Sequence, residues 1–209
     1  MNRFSQPPIV LLLVAALCSA ALQGCGAFAV VGATYGAAVV YDRRSEQTVL
    51  DDQVIEFRAL EAYWKIPDIR KNSNVSVTSY DHRALITGQA RTQEISDRYA
   101  RIVSQIPKVK KVYNEVEIGP TISLKQQATD AYLTSRAKLA IQSIDIPGFD
   151  ALRVKVVTEN GVVYLMGLVT PEEGDATAEK IRRIPGVARV VKIFEYVEPE
   201  RHDREAEPT

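Results

Sequence analysis

The chain has 209 residues, and its 26 Lys plus Arg and 26 Asp plus Glu give a formal net charge of zero. This balance provides no overall positive charge of the kind that favours nucleic-acid binding. Cysteine occurs only at positions 18 and 25, so the sequence lacks a disulfide framework. The length allows one or two domains.

The first 24 residues have the features of a secretion signal. Arg3 is the only charge before Asp42, and small and apolar residues run without interruption from Ile9 to Leu22. This run is short for a membrane span, which takes about 20 residues, and is typical of a signal peptide. We therefore predict that residues 1–24 are removed.

The residues that end the signal, Leu22-Gln23-Gly24-Cys25, resemble a bacterial lipobox. The resemblance implies that the Cys25 thiol receives a diacylglyceryl group, that the chain is cut before it, and that the new amine is acylated. Two or more acyl chains give durable anchoring. Gly26 follows, whereas an Asp there would resemble an inner-membrane retention signal, so we expect an outer-membrane lipoprotein facing the periplasm.

Two alternatives stay open for this region. The signal could be an ordinary cleaved one with Cys25 as a bystander, or an uncleaved anchor, because apolar residues resume at Ala27 and continue to Val40. We interpret residues 25–45 as a lipidated N-terminus and an apolar tether that lies against the lipid surface. Asp42-Arg43-Arg44-Ser45 ends this stretch and begins the soluble part.

The rest of the chain contains an internal repeat. Residues 77–88 resemble residues 156–167, and the Ile-Pro pair at 106–107 recurs at 184–185. Upstream, six positions beginning at Asp52 match six beginning at Asp130 with the same spacing throughout. We predict a first domain at 46–119, a second domain at 120–198 and a disordered tail at 199–209.

Each repeat predicts the order helix, strand, strand, helix, strand. In the second, Asn160-Gly161 predicts a type I′ hairpin turn, and Thr170-Pro171 marks a helix start. The predicted elements are a helix from Asp51 or Asp52 to about Lys65, strands at 74–80 and 84–90, a helix from Thr92 to before Pro107, a strand at 109–118, a helix at 124–144, a helix that Ile184-Pro185-Gly186 closes, and a strand at 187–197.

The predicted fold class is α+β. Two amphipathic helices and three strands per repeat pack most simply with both helices on one face of a small three-stranded mixed sheet. The expected architecture is therefore two tandem α-β-β-α-β modules.

Several short motifs resemble the BON domain: Gly88 and Gly167 at the ends of strands, the turn at 159–161, and Pro185-Gly186-Val187 before the last strand. A lipobox followed by two such modules is similar to the dual-BON outer-membrane lipoprotein family. The resemblance implies binding of anionic phospholipid, chiefly phosphatidylglycerol, through the first helix of the second domain. It also implies a role in envelope integrity and enrichment at division sites.

The first helix of the second repeat is the candidate lipid-binding element. Leu133, Ala137, Ala140 and Ile144 match apolar positions of the first repeat and are expected to face the sheet. An aromatic ring and basic groups on the opposite face suit a membrane interface, and the resemblance places an inserting aromatic at Tyr132. The candidate phospholipid-binding residues are Tyr132, Ser135, Arg136, Lys138, Leu139 and Gln142.

The alternative interpretation of this helix is structural, with Tyr132 half-buried in the core and Arg136 and Lys138 as ordinary solvated charges. We expect weak intrinsic affinity that the lipid anchor makes useful through effective concentration. In the first repeat, Tyr63 and Trp64 are expected to pack the first domain against its neighbour.

The sequence does not indicate an enzyme, a metal site or a cofactor. His82 falls in a predicted turn and His202 in the tail, so no paired ligand spacing exists. The competing functions are a protein-interaction module and a structural envelope protein without a ligand. An interaction module could dock outer-membrane assembly or peptidoglycan-remodelling proteins, for which exposed strand edges are natural sites.

Overall fold

The structure is a computed structural model that describes residues 42–198, and this range folds into two α+β units. The predicted signal peptide, Cys25, apolar tether and tail lie outside the described residues, apart from Asp42–Ser45. The first unit contains α1 (Glu46–Lys65), α2 (Pro67–Asn72), β1 (Ser73–Tyr80), β2 (Arg83–Ala90), α3 (Gln93–Ser104), β3 (Lys111–Asn114) and β4 (Glu117–Ile118). The second contains α4 (Leu124–Gln142), a 3₁₀ turn (Ala151–Arg153), β5 (Val154–Glu159), β6 (Val162–Val169), α5 (Pro171–Arg182) and β7 (Arg189–Tyr196).

Both units contain a small mixed sheet, as predicted. In the first, β1 and β2 are antiparallel, whereas β3 and β4 both pair in parallel with β2. In the second, β5 and β6 are antiparallel and β6 and β7 are parallel. The prediction of one continuous strand at 109–118 was wrong, because Glu115 and Val116 separate β3 from β4.

The predicted hairpin turn and the predicted helix start of the second unit are both confirmed. Asn160 and Gly161 have φ values of 48° and 76°, the left-handed conformation that a type I′ turn requires at both positions. Thr170 caps α5, and its hydroxyl and the Glu173 carboxylate form a reciprocal capping box.

The start of α1 differs from the prediction. Ser45 caps the helix, and its hydroxyl oxygen accepts a hydrogen bond from the Thr48 N–H at 3.1 Å. Asp51 and Asp52 therefore lie inside the helix and were wrongly assigned as caps. Both are largely buried, and their carboxylates bind groups outside α1.

The helices of each unit cover one face of its sheet, as expected for this fold class. Ile55 and Ala59 of α1 pack on Ile86 of β2 in the first unit, and Leu133 of α4 packs on Leu165 of β6 in the second. Burying a Leu or Ile side chain completely stabilises the fold by about 1.5–3 kcal/mol.

The opposite faces of the two sheets pack against each other. Tyr80 and Leu85 from the first unit share a cluster with Tyr164, Met166 and Ile193 from the second. The result is a sandwich of four layers, with helices outside and the two sheets inside. Since β2 and β6 are covered on both faces, nearly all of their residues are buried.

The expectation that Tyr63 and Trp64 pack between the domains was wrong. The Tyr63 ring packs with Tyr99 in the core of the first unit, and its hydroxyl donates to the Ser73 carbonyl at 2.9 Å. Trp64 is 57% exposed and lies under the Arg70 guanidinium. The apolar contact between domains is made by the sheets, and α1 reaches the second unit through Glu56, which pairs with Lys155 at 2.8 Å.

Candidate functional site

The candidate lipid-binding helix is α4, which the Ser123 hydroxyl caps by accepting a hydrogen bond from the Gln126 N–H. Leu133 and Ala137 are almost completely buried against the sheet, as predicted. Ala140 and Ile144 are partly buried in the same cluster, although Ile144 lies beyond the end of the helix at Gln142. This packing fixes which side of α4 faces outward.

All six candidate residues lie on the exposed side of α4. Tyr132 is 60% exposed and Leu139 62%, so neither belongs to the core. The interpretation of Tyr132 as a half-buried core residue was therefore wrong. The Ser135 hydroxyl donates to the Ala131 carbonyl at 3.1 Å and stays close to the helix backbone. The other exposed candidates are Arg136, Lys138 and Gln142.

The exposed charge of α4 is entirely positive. Its exposed charged residues are Lys125, Arg136 and Lys138, and no ion pair among residues 42–198 involves them. Asp130, the helix's carboxylate, is 5% exposed and accepts hydrogen bonds from the Asn160 and Gly161 N–H groups, each at 2.8 Å. The negative charge of Asp130 is therefore directed to the hairpin turn inside the domain. The outer face of α4 presents exposed apolar side chains between basic ones.

A groove of about 320 Å³ runs beside α4, and its charged lining residues are Asp130 and Glu159. Burial raises the pKa of Glu159, and the carboxylates of Asp130 and Glu117 nearby act in the same direction. This groove therefore does not suit an anion. The electrostatics favour contact of a negatively charged surface with the outer face of α4.

The role of Asp130 was missed in the sequence, although the repeat contained the signal. Asp52, its equivalent in the first repeat, accepts hydrogen bonds from the backbone N–H groups of Asp81 and His82, each at 2.8 Å. Both carboxylates therefore secure the hairpin turn of their own unit. A matched Asp at equivalent positions of two helices, each followed by a tight turn, could have indicated this function.

Arg43 and Arg44, just before α1, also have roles that sequence reasoning missed. Arg44 pairs with Asp52 at 2.8 Å, and its guanidinium lies 3.7 Å from the centre of the Tyr80 ring. Arg43 reaches the second unit and pairs with Glu173 at 2.7 Å. The segment that precedes α1 is therefore bound to both units.

The contact with Arg43 affects the ionisation of Glu173. Burial alone raises the pKa of a carboxyl group, but hydrogen bonds from Arg43 and from the Thr170 N–H outweigh burial here. The net pKa of Glu173 is lowered, so the carboxylate is ionised and pairs with Arg43 at neutral pH.

Two kinds of site are absent from residues 42–198. No helix in this range is long and apolar enough to cross a membrane. The same residues contain no group of three or more His, Cys, Asp or Glu side chains placed to bind a metal ion.

Comparison with known proteins identifies the modules. The BON domain family profile matches residues 51–120 and 129–198. The chain belongs to the BON-domain family. The starts of the two matched segments are separated by the same spacing as Asp52 and Asp130, so the family match reproduces the internal repeat.

Two relatives extend the comparison beyond the individual domains. The chain is 34% identical to outer membrane lipoprotein DolP of Haemophilus influenzae over 178 residues, covering 85% of this chain and 91% of the relative. It is 33% identical to a 21 kDa hemolysin of Actinobacillus pleuropneumoniae, covering 75% and 80%. These matches confirm the predicted resemblance to dual-BON lipoproteins and the lipid-anchored localisation at the outer membrane.

A solved structure, the C-terminal domain of CdsD from the type III secretion system of Chlamydia trachomatis, covers 70% of this chain and 67% of its own with 16% identity. Its TM-score of 0.28 is low.

Proposed function

We propose that this outer-membrane lipoprotein faces the periplasm and binds anionic phospholipid, chiefly phosphatidylglycerol, through the outer face of α4. The observation that carries the proposal is the composition of that face. Tyr132 and Leu139 are more than half exposed beside Arg136 and Lys138, while Asp130 is buried. This combination of exposed apolar and basic side chains suits the headgroup region of a negatively charged bilayer.

We expect α4 to bind the bilayer by non-covalent contact. The Tyr132 ring and the Leu139 side chain enter the boundary between headgroups and acyl chains, while the basic side chains remain among the phosphates. Each basic group near an anionic surface contributes about 1 kcal/mol. With few basic groups on the helix, the intrinsic affinity is modest.

The lipid anchor predicted at Cys25 makes modest affinity sufficient. Tethering the chain to one membrane turns binding by α4 into an intramolecular event, whose effective concentration depends on the length of the linker. In the proposed arrangement the anchor supplies attachment and α4 supplies lipid selectivity. Envelope integrity and enrichment at division sites then follow from where anionic lipid is available.

Vesicle flotation tests this proposal directly. The non-acylated mature chain, residues 26–209, is mixed with vesicles of phosphatidylglycerol or of phosphatidylcholine, together with the variants Tyr132→Ala and Arg136→Glu. We expect selective flotation with phosphatidylglycerol that both variants lose.

Lys180→Glu is the matched control, because Lys180 is an exposed basic residue on α5 of the same domain. It changes the net charge by the same amount as Arg136→Glu and should leave flotation unchanged. Equal flotation with both lipids, or equal loss in Lys180→Glu and Arg136→Glu, would refute a specific role for α4.

A further inference from the structure

The first helix, α1, has a second apolar face that the fold does not use. Its inward face packs Ile55 and Ala59 on the sheet, yet large apolar side chains also line its outward face. We call this set the α1 stripe: Leu50 (54% exposed), Val54 (47%), Phe57 (66%), Leu60 (54%) and Trp64 (57%). Single exposed apolar residues are ordinary on a protein surface, but a contiguous row on one helix indicates an interaction site.

The spacing of the stripe matches an α-helical partner. In a heptad repeat, the a and d positions face the partner helix. On α1 these positions are occupied by four apolar residues and one carboxylate: Leu50, Val54, Phe57, Trp64 and Glu61. A seam of this narrow width is what one helix presents to another in knobs-into-holes packing. Leu60 widens the seam on one side.

The α1 stripe stays largely open within residues 42–198: the Arg70 guanidinium of α2 lies 5.5 Å from the centre of the Trp64 ring, yet the side chains of the stripe remain 47% to 66% exposed. The sheets of the two units face each other at the centre of the molecule, and the helices form the outer layers. The α1 stripe is thus on the opposite outer layer from the exposed face of α4. When α4 contacts a bilayer, a step that rests on the proposed function, the stripe faces away from that bilayer.

The charges beside the seam disfavour pairing with a second copy. Arg58 and Lys65 lie along one flank, where Lys65 pairs with Glu61 of the seam at 2.7 Å and Asp51 is largely buried and ion-paired with Lys108. Gln53 and Leu60 lie along the other flank. If α1 of two copies paired in the antiparallel direction, the basic flank of one helix would face the basic flank of the other. If they paired in the parallel direction, the basic flank of one helix would face Gln53 and Leu60 of the other, which provide no carboxylate.

We propose that the α1 stripe is the docking surface for an amphipathic α-helix of another protein, one that carries acidic residues along the flank next to Arg58 and Lys65. The apolar seam supplies the contact area, and the acidic flank determines partner choice and orientation. Such a helix laid along an apolar surface is a recurring mode of recognition. The lipoprotein would then bind lipid on one outer layer and protein on the other.

The sole tryptophan of the chain, Trp64, lies in the stripe and reports directly on its occupancy. The non-acylated mature chain is titrated with a synthetic, Trp-free heptad helix that has Leu and Ile in its seam and Glu on its flanks. The same peptide with Lys on its flanks is titrated in parallel. We expect a saturable blue shift of Trp64 emission with the acidic peptide and at least fivefold weaker binding of the basic one.

Two variants locate the contact. Phe57→Ser should weaken binding of the acidic peptide at least tenfold, and Arg58→Glu should remove or reverse the preference for acidic flanks. Tyr132→Ser, at the position of α4 equivalent to Val54, is the control and should bind the peptide like the unaltered chain. Circular dichroism of each variant checks that the fold is retained.

Several results would overturn the proposal. The first two are the absence of a Trp64 emission shift at about 1 mM acidic peptide and equal affinity for the acidic and basic peptides. The third is an emission shift that depends on protein concentration alone, which would indicate self-association. The fourth is an emission shift produced by phosphatidylcholine vesicles in the absence of peptide. None of these outcomes depends on flotation with phosphatidylglycerol, so the two proposals fail separately.

Discussion

The helices α1 and α4 occupy equivalent places in the two units, yet their outward faces have diverged. At equivalent positions of the repeat, Val54 corresponds to Tyr132 and Leu60 to Lys138. The α1 sequence contains five carboxylates and two basic residues, whereas α4 contains one carboxylate and three basic residues. The inward faces have kept small and branched apolar residues, because both must pack on the same kind of sheet.

The residues that the two units share and those in which they differ lie on opposite sides of these helices. The inward positions and the turn-binding carboxylates Asp52 and Asp130 are common to both units, so they specify the fold. The outward positions are free of that constraint and determine what each unit can contact. Changes to the two classes of residue should therefore have separable effects on stability and on binding.

The largest expected effect on stability comes from the turn-binding carboxylates. Asp52→Ala should lower the free energy of unfolding by about 3–5 kcal/mol, because it leaves the Ser79 hydroxyl and two backbone N–H groups without a buried acceptor and removes one of the two carboxylates that pair with Arg44. Asp130→Ala removes two N–H acceptors and should cost about 2–4 kcal/mol. Urea unfolding measures both, and a smaller loss for Asp52 than for Asp130 would contradict this ranking.

Shortening a leucine side chain to alanine should affect stability differently on the two faces of α4. Leu133→Ala leaves a cavity in the core and should lower the free energy of unfolding by about 2–4 kcal/mol. Leu139→Ala, on the exposed face, should change it by less than about 0.5 kcal/mol. The same urea experiment compares them, and a large loss for Leu139 would mean that it supports the fold.

The smallest expected effect is a difference between the two units in how the free energy of unfolding depends on pH. Hydrogen bonds from Lys108, Gln47 and His82 lower the pKa of Asp51 to about 2, and the equivalent residue of the second unit is Thr129. The pKa in the unfolded chain is about 3.9, so between these values the unfolded state binds more protons and stability falls as the pH falls. Well above the unfolded-state pKa this contribution is fully present.

The substitution Asp51→Asn should flatten the dependence of unfolding free energy on pH between about 4 and 2. Urea unfolding at several pH values measures this slope, with Thr129→Ser as the control that leaves it unchanged. A slope equal to that of the unaltered chain would show that Asp51 is not responsible.

Much of the fold could be predicted from the sequence because its signals are local. Asn160-Gly161 specifies a turn, Thr170 specifies a helix start, and the apolar spacing of Leu133 and Ala137 specifies the inward side of α4. The partners of Asp52 could not be predicted in this way, since they lie in the β1–β2 turn, far from Asp52 along the chain.

The exposed surfaces were predicted with mixed success for a physical reason. On α4 only one side is strongly apolar, so the outward positions of Tyr132 and Arg136 followed from periodicity. On α1 both sides are apolar, and periodicity alone cannot determine which of them faces the sheet. The packing of sheet on sheet was also missed, although the long apolar run of β6 is typical of a strand covered on both faces.

The measurement that tests the central claim most directly is a comparison of Arg136→Glu with Arg58→Glu in binding to phosphatidylglycerol vesicles. These exposed arginines lie at equivalent positions of the repeat, on α4 and α1. We expect Arg136→Glu to weaken binding about tenfold or more, since it replaces an attraction with a repulsion at the lipid surface, and Arg58→Glu to have little effect. Equal weakening by both substitutions would mean that net charge, and not the face of α4, determines lipid binding.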